Sequence, residues 1–237
     1  MKILIVAAMD NEISVIKDKL KLNNDFTEKE IEGFVFYFGH LYDKQIILVK
    51  SGVGRVNAAI LIALAKLSFD FDLVINIGIA GGLNDLSVYD IVVGKNTVYG
   101  DVDLSVFSEK YVYGQMSNCP RYFEGSKRLI DLIESNEDLK DVNIATICSC
   151  EKFTSSDKEA RELINNHFSN LNVLAFDMES ACYAQACNRF NIEFLAIRFI
   201  SDIIGSEAQA DYFLKNEDLA AKSLKCNNYI LKLIEKI

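Results

Sequence analysis

The stretch KILIVAAMDNE, residues 2–12, decides how the chain is read. Behind Lys2 an unbroken apolar run reaches Ala8, the mark of a strand buried on both faces of a sheet. Met9 follows, then Asp10 and Glu12. Acids are favoured in a first helical turn, where the macrodipole is positive, so a helix is predicted to about Leu20. A buried strand passing straight into a helix is the opening of an α/β unit. The same alternation recurs along the chain. Strands are predicted over 33–39 and 45–51, as a hairpin with Asp43 and Lys44 near its turn. Further strands fall at 72–82, 90–100, 142–150, 172–176 and 193–202. Helices are predicted over 55–68, 127–135, 157–168, 178–190 and 208–236. The helix at 55–68 is almost wholly apolar and is expected to be packed on most sides. Residues 101–126 read as irregular and aromatic, and hold the only proline, Pro120. No repeat, low-complexity tract or linker interrupts the pattern. The expectation is an α/β fold, a single domain over 1–237, with a mixed, mostly parallel central sheet flanked by helices.

Composition narrows the function. The chain has 237 residues and a net charge of −9, with a pI of about 4.8. That balance argues against nucleic acid or an anionic membrane as partner. No run reaches the roughly 18 apolar residues a membrane helix needs, and the N-terminal run reads as a strand rather than a signal peptide. Six cysteines (119, 148, 150, 182, 187 and 226) show no disulfide-scaffold spacing. They are read as reduced thiols of a cytoplasmic protein, with Cys148 and Cys150 on opposite faces of their strand. Two distant histidines, His40 and His167, give no zinc site and no Ser-His-Asp triad. No metal and no cofactor are expected, and the chemistry falls to carboxylates.

In open α/β sheets ligands bind beyond the carboxyl ends of the strands. The polar residues of this chain gather there: MDNE (9–12), SGVG (51–54), the glycines of GIAGG (78–82), EKFT (151–154), DME (177–179) and SD (201–202). SGVGRVN lacks the third glycine of a dinucleotide fingerprint, with Asn57 in its place, and no Walker A sequence occurs. Asp177 reads as a helix N-cap. Taken singly, Glu12 and Glu179 read as first-turn acids. Asp202 differs, because Phe199, Ile200, Ile203 and Ile204 flank it. A carboxyl in such company tends to hold a proton and can act as an acid. Its plainer alternatives are an N-cap or a partner for Arg198. Three carboxylates at three strand ends suit cleavage of a glycosidic bond through a cation-like transition state.

IVAAMDNEI, KSGVGRVNAA, NIGIAGGL, VYGQ, DMESACYAQAC and RFISD, in this order, resemble the nucleoside phosphorylase/nucleosidase superfamily. The nearest resemblance is to its bacterial 5′-methylthioadenosine/S-adenosylhomocysteine nucleosidases, and it extends over nearly the whole chain. It implies that Asp202 protonates adenine N7, supported by Ser201, and that Glu12 activates the attacking water. Glu179 would accept hydrogen bonds from the ribose hydroxyls, with Met178 packed on the sugar and Arg198 nearby. Phe153 would stack on the purine and Thr154 meet its edge. Met9, Val53 and Ile79 would complete the substrate-binding set. The resemblance also implies a homodimer, with Phe107 and Tyr111 reaching the partner's pocket. The chain departs from the family pattern at Ile79, where serine or threonine is usual, and at Cys150-Glu151, where Gly-Asp is usual. MDNE carries two acids and no arginine, which favours water over phosphate as nucleophile. A nucleosidase for another nucleoside such as futalosine, a phosphate-dependent phosphorylase, and a protein that binds without turnover remain alternatives.

Overall fold

The computed structural model describes residues 1–206 and 219–237. The strands are β1 (Lys2–Ala7), β2 (Thr27–Ile31), β3 (Phe34–Leu41), β4 (Lys44–Lys50), β5 (Leu73–Gly82), β6 (Ile91–Tyr99), β7 (Tyr122–Glu124), β8 (Asn143–Ser149), β9 (Val173–Asp177) and β10 (Glu193–Ile203). The helices are α1 (Asp10–Lys21), α2 (Arg55–Ser68), α3 (Lys127–Ser135), α4 (Asp157–Leu163), α5 (Ser180–Phe190) and α6 (Leu219–Lys236). A π-helical turn, Ile164–Phe168, continues α4.

One mixed sheet organises the molecule. At its centre β1 lies parallel to both β4 and β5, and β5 lies parallel to β10. Beyond β4 the antiparallel strands β3 and β2 form the edge. On the other side the sheet curls. β10 pairs antiparallel with β6, β6 runs parallel to β8, and β8 runs parallel to β9. β9 then returns to β5 through Gly81–Phe176 and Gly82–Ala175. The strands β5, β10, β6, β8 and β9 therefore close on themselves, where the sequence suggested an open sheet. Register shifts allow the curl: one in β9 between Val173 and Ala175, opposite Thr146/Ile147, one in β6 at Gly94/Asn96, and one in β10 at Ile200/Asp202. Bulges of this kind bend a strand and re-aim its side chains. Gly82 permits a close approach of β5 to β10, since a Cβ there would stand 2.8 Å from Ile200 Cγ2.

Period-two alternation in β1 serves two cores. Ile3, Ile5 and Ala7 pack with Ile13, Ile16 and Leu20 of α1 and with Ile230, Leu233 and Ile234 of α6. Leu4 and Val6 pack on the opposite face with Leu61 and Ile62 of α2 and with Ala181 and Tyr183 of α5. Each fully buried aliphatic side chain contributes roughly 1.5–3 kcal/mol. The sandwich fixes the carboxyl ends of β1, β4, β5, β9 and β10 along one rim.

Several details differ from the sequence reading, among them β7 (Tyr122–Glu124), a short strand inside the stretch 101–126 read as irregular. The edge strand β2 was not anticipated, because TEKEI is polar and exposed along almost its whole length. α2 buries Ala58, Leu61, Ile62 and Ala65 but leaves Val56, Ile60 and Leu67 in solvent, at 69%, 50% and 85% exposure. Its apolar stripe therefore extends beyond what the described residues cover. Cys148 and Cys150 share a face rather than opposing one another. Both sulfurs would lie 2.6 Å from a Cβ on Gly100, as two-residue spacing in a strand requires. The predicted helix over 208–236 is described only from Leu219, and 208–218 lie outside the described residues.

Candidate active site

Glu12 stands in the first turn of α1, directly after β1. Its Oε2 accepts from the backbone amides of Ala8 and Met9, at 2.9 and 2.8 Å. Its Oε1 accepts from the amide of Ile79 at 2.9 Å. Folding back on the Met9 amide is half of a capping box, so the helix start itself orients the group. The third amide comes from β5, so two strand ends hold one carboxylate. Burial is the largest influence on this carboxyl and raises its pKa. The three amides and the positive charge of Arg198 oppose that rise without cancelling it. The Ile79 contact is made by the backbone, so it does not depend on which side chain stands there.

Glu179 precedes α5, and its Oε1 accepts from the Gly54 amide at 2.8 Å. Burial pushes its pKa up to about 7, and the negative charges of Asp177 and Glu12 add to the rise. Asp202 sits at the bulge of β10. Ser201 is the extra residue there, since Ile200 pairs with Ala80 and Asp202 with Gly81. The bulge lets both Ser201 and Asp202 line the same pocket. Asp202 is 4% exposed, and Ser201 Oγ donates to its Oδ1 at 2.6 Å.

Arg198 does not serve Asp202. Its Nε and Nη2 lie 2.8 and 2.7 Å from Asp177 Oδ2. Nη1 donates to the Asn76 carbonyl at 3.2 Å, and Nη2 to Asn76 Oδ1. The guanidinium is buried behind the pocket floor. Gly78 lets it approach Glu12: a Cβ there would stand 2.9 Å from Glu12 Oε1 and 3.5 Å from Arg198 Cζ.

The pocket brings together Met9, Glu12, Val53, Ile79, Phe153, Thr154, Met178, Glu179, Ser201 and Asp202. Of the substrate-binding set expected from sequence, Arg198 alone lies outside the lining. Phe107 and Tyr111 do not line it either, and Phe107 is 78% exposed. Sequence reasoning missed a buried polar cluster beneath the pocket. Asp177 does cap α5, accepting from the Ser180 amide at 3.0 Å, but it also holds Arg198 and accepts from Ser149 Oγ. Asn76, inside the apolar run of β5, completes the cluster. A lone asparagine in such a run was the available signal, because a buried amide needs partners.

The arrangement sets Glu12, Glu179 and Asp202 on one apolar pocket, and among the described residues no uncommitted arginine lines it. Arg198 is held by Asp177. Arg55 pairs with Asp101 and with Glu151 at 3.4 Å, and donates to the Ser149 carbonyl at 2.8 Å. Phosphate needs such groups uncommitted. Among the described residues no cluster of metal-ligating side chains occurs.

The phosphorylase superfamily model matches residues 2–234. A 5′-methylthioadenosine/S-adenosylhomocysteine nucleosidase of Oceanobacillus iheyensis is 36% identical over 244 residues, covering 100% of both chains. The chain belongs to this superfamily and to its 5′-methylthioadenosine/S-adenosylhomocysteine nucleosidases. It is an enzyme of the N-glycosyl hydrolase class. The nucleosidase fold is shared with the Streptococcus pneumoniae MTA/SAH nucleosidase solved in complex with 8-aminoadenine. That structure has a TM-score of 0.89 and 30% identity, and 100% of each chain is covered. A futalosine hydrolase mutant of Helicobacter pylori also shares the fold, with a TM-score of 0.87, 27% identity and 100% coverage of both chains.

Proposed function

We propose that this nucleosidase hydrolyses the N-glycosidic bond of 5′-methylthioadenosine and S-adenosylhomocysteine, and of 5′-deoxyadenosine, releasing adenine and the 5-substituted ribose. The observation that carries the reading is Glu12, a buried carboxylate fixed by three backbone amides in a pocket that also holds Asp202. The names of the relatives support the substrate class.

Adenine leaves poorly as an anion. Asp202 gives its proton to N7 as the C1′–N9 electron pair passes to the base, and general acid catalysis of this kind contributes roughly 10²–10⁴-fold. The sugar becomes cationic and is stabilised by the neighbouring carboxylates. Glu12 takes a proton from water as the oxygen bonds to C1′, and its raised proton affinity suits that task. Glu179 accepts from the ribose hydroxyls while Gly54 holds its other side. Phe153 stacks on the purine, Thr154 meets its edge and Met178 packs on the sugar.

The whole chain, 1–237, acts as a single nucleosidase domain working as a homodimer in the cytoplasm. The bare apolar face of α2 and the exposed Phe107 support the dimer, with Phe107 and Tyr111 placed at the partner's pocket. Six free cysteines support the compartment. The likeness to a futalosine hydrolase favours a second substrate reading, futalosine, tested by incubating the enzyme with futalosine and following release of its hypoxanthine base.

Glu12→Gln should fold normally and lose at least about 10²-fold in adenine release, and Asp202→Asn should lose a similar factor. Adenine release is followed directly, with thermal melting as the folding control. Near-normal turnover in Glu12→Gln removes the water-activating role.

A further inference from the structure

Asp177 reaches the rim of the site, yet its oxygens are directed to protein groups. Oδ2 takes Arg198 Nε and Nη2 at 2.8 and 2.7 Å and the Ser180 amide at 3.0 Å, along with Ser180 Oγ. Oδ1 takes Ser149 Oγ. Ser149 Oγ in turn accepts from the Ala181 amide at 2.9 Å. Asp177 is thus tied to β8, to α5 and to β10 at once. Arg198 is tied from the other side by Asn76 of β5. A guanidinium is a planar fork, and partners on two sides fix both its position and its tilt.

The position matters because Arg198 faces the two carboxylates assigned to the sugar and the water. We infer that Asp177 is a positioning residue: it anchors Arg198 behind the pocket floor and sets how much of that positive charge reaches Glu12 and Glu179. The inference rests on the roles proposed for those two carboxylates.

Among the described residues the groups facing them are few. Glu179 meets Asp177 from β9, Arg198 from β10 and Glu12 from α1, besides the Gly54 amide. Tyr183, one turn along α5, lies in the field of both glutamates. Cys226 of α6 faces Glu12 and Arg198. In this set Arg198 is the cation and Asp177 the charge that offsets it. Each lowers the influence of the other on the site. Two buried anions beside a single unopposed cation would hold their charge at lower pH, and with Asp177 in place they take up protons at higher pH. Asp177 therefore trades electrostatic stabilisation of the ionised site for a fixed arginine.

The test is the pH profile of kcat/KM for adenine release from 5′-methylthioadenosine by the wild type, Asp177→Asn and Asp177→Glu. Asparagine keeps the shape and removes the charge. Its acid limb should move down by about one pH unit, while the rate at the plateau falls about tenfold because Arg198, still tied to Asn76, loses its charged anchor on the other side. A limb that stays in place, with rate lost uniformly at all pH values, makes Asp177 a purely structural residue and overturns the inference. If Asp177→Asn does not fold, Asp177→Glu decides. It keeps the charge but displaces the guanidinium, so its limb should stay near that of the wild type while kcat falls about tenfold with KM little changed. Unchanged kcat in that variant also overturns the inference. Absence of adenine release by the wild type would instead refute the nucleosidase reading itself, before any variant is compared.

Discussion

Burial lifts the Glu179 carboxyl from its ordinary 4.5 to about 7, with Asp177 and Glu12 adding to the rise. The sign of its effect on stability follows. In the unfolded chain the group loses its proton near 4.5, and in the folded chain near 7. Between those values the folded state binds more protons, so the stability present below 4.5 is lost as the pH rises through 7. The full effect is about 3 kcal/mol at 1.36 kcal/mol per pH unit. Glu179→Gln removes the titration and keeps an oxygen for the Gly54 amide. The ligand-free variant should therefore melt higher than the wild type at pH 8, and the difference should shrink toward pH 5. Melting curves across that range check it, and a difference independent of pH contradicts it. Glu12 contributes in the same direction. A site that costs the empty protein stability is a common consequence of holding charges ready for a reaction.

β5 shows how a single element builds the site. Asn76, Gly78 and Ile79 stand close together in the strand, and each does something different with its backbone or side chain. Asn76 holds Arg198, Gly78 leaves room between that arginine and Glu12, and the Ile79 amide binds Glu12. Gly78→Ala would place a Cβ 2.9 Å from Oε1 of Glu12, whose carboxylate three amides hold in place. We expect a loss of at least tenfold in kcat and destabilisation of roughly 1–3 kcal/mol, read from steady-state rates and urea melts. Wild-type kcat in that variant would mean that Glu12 has freedom the geometry denies it. This element also marks how much was legible beforehand. The apolar runs of β1, β5 and β10 announce buried strands, and polar residues at their ends announce the rim. Asp202 could be picked out because a carboxyl among apolar flanks is costly, whereas Glu12 and Glu179 read singly as first-turn acids and owed their roles to the family resemblance. The bulge at Ser201 could not be read, since no local residue preference marks where a ladder slips. Nor could the partner of Arg198. Asp177 looked like an ordinary N-cap, and pairing between β9 and β10 residues depends on closure of the sheet through strands distant in sequence.

Closure of β5, β10, β6, β8 and β9 turns scattered strand ends into one pocket, while α2 carries an apolar stripe the single chain leaves bare. Val56, Ile60 and Leu67 stand on it, and Val53, nearby in sequence, lines the pocket itself. Burying such a face against a second copy would place the interface beside the site. Ile60→Asp should convert a dimer to a monomer in sedimentation and lower activity by more than tenfold, because a buried carboxylate without a partner costs several kcal/mol. A wild type that sediments as a monomer with full activity rules out the dimer. The chemistry of the whole molecule has a more direct test. The enzyme is incubated with 5′-methylthioadenosine in buffer free of phosphate and again with phosphate added, and the products are identified. Adenine and free methylthioribose at the same rate in both buffers are the result expected when Glu12 activates water. A sugar 1-phosphate, formed only when phosphate is present, would contradict it.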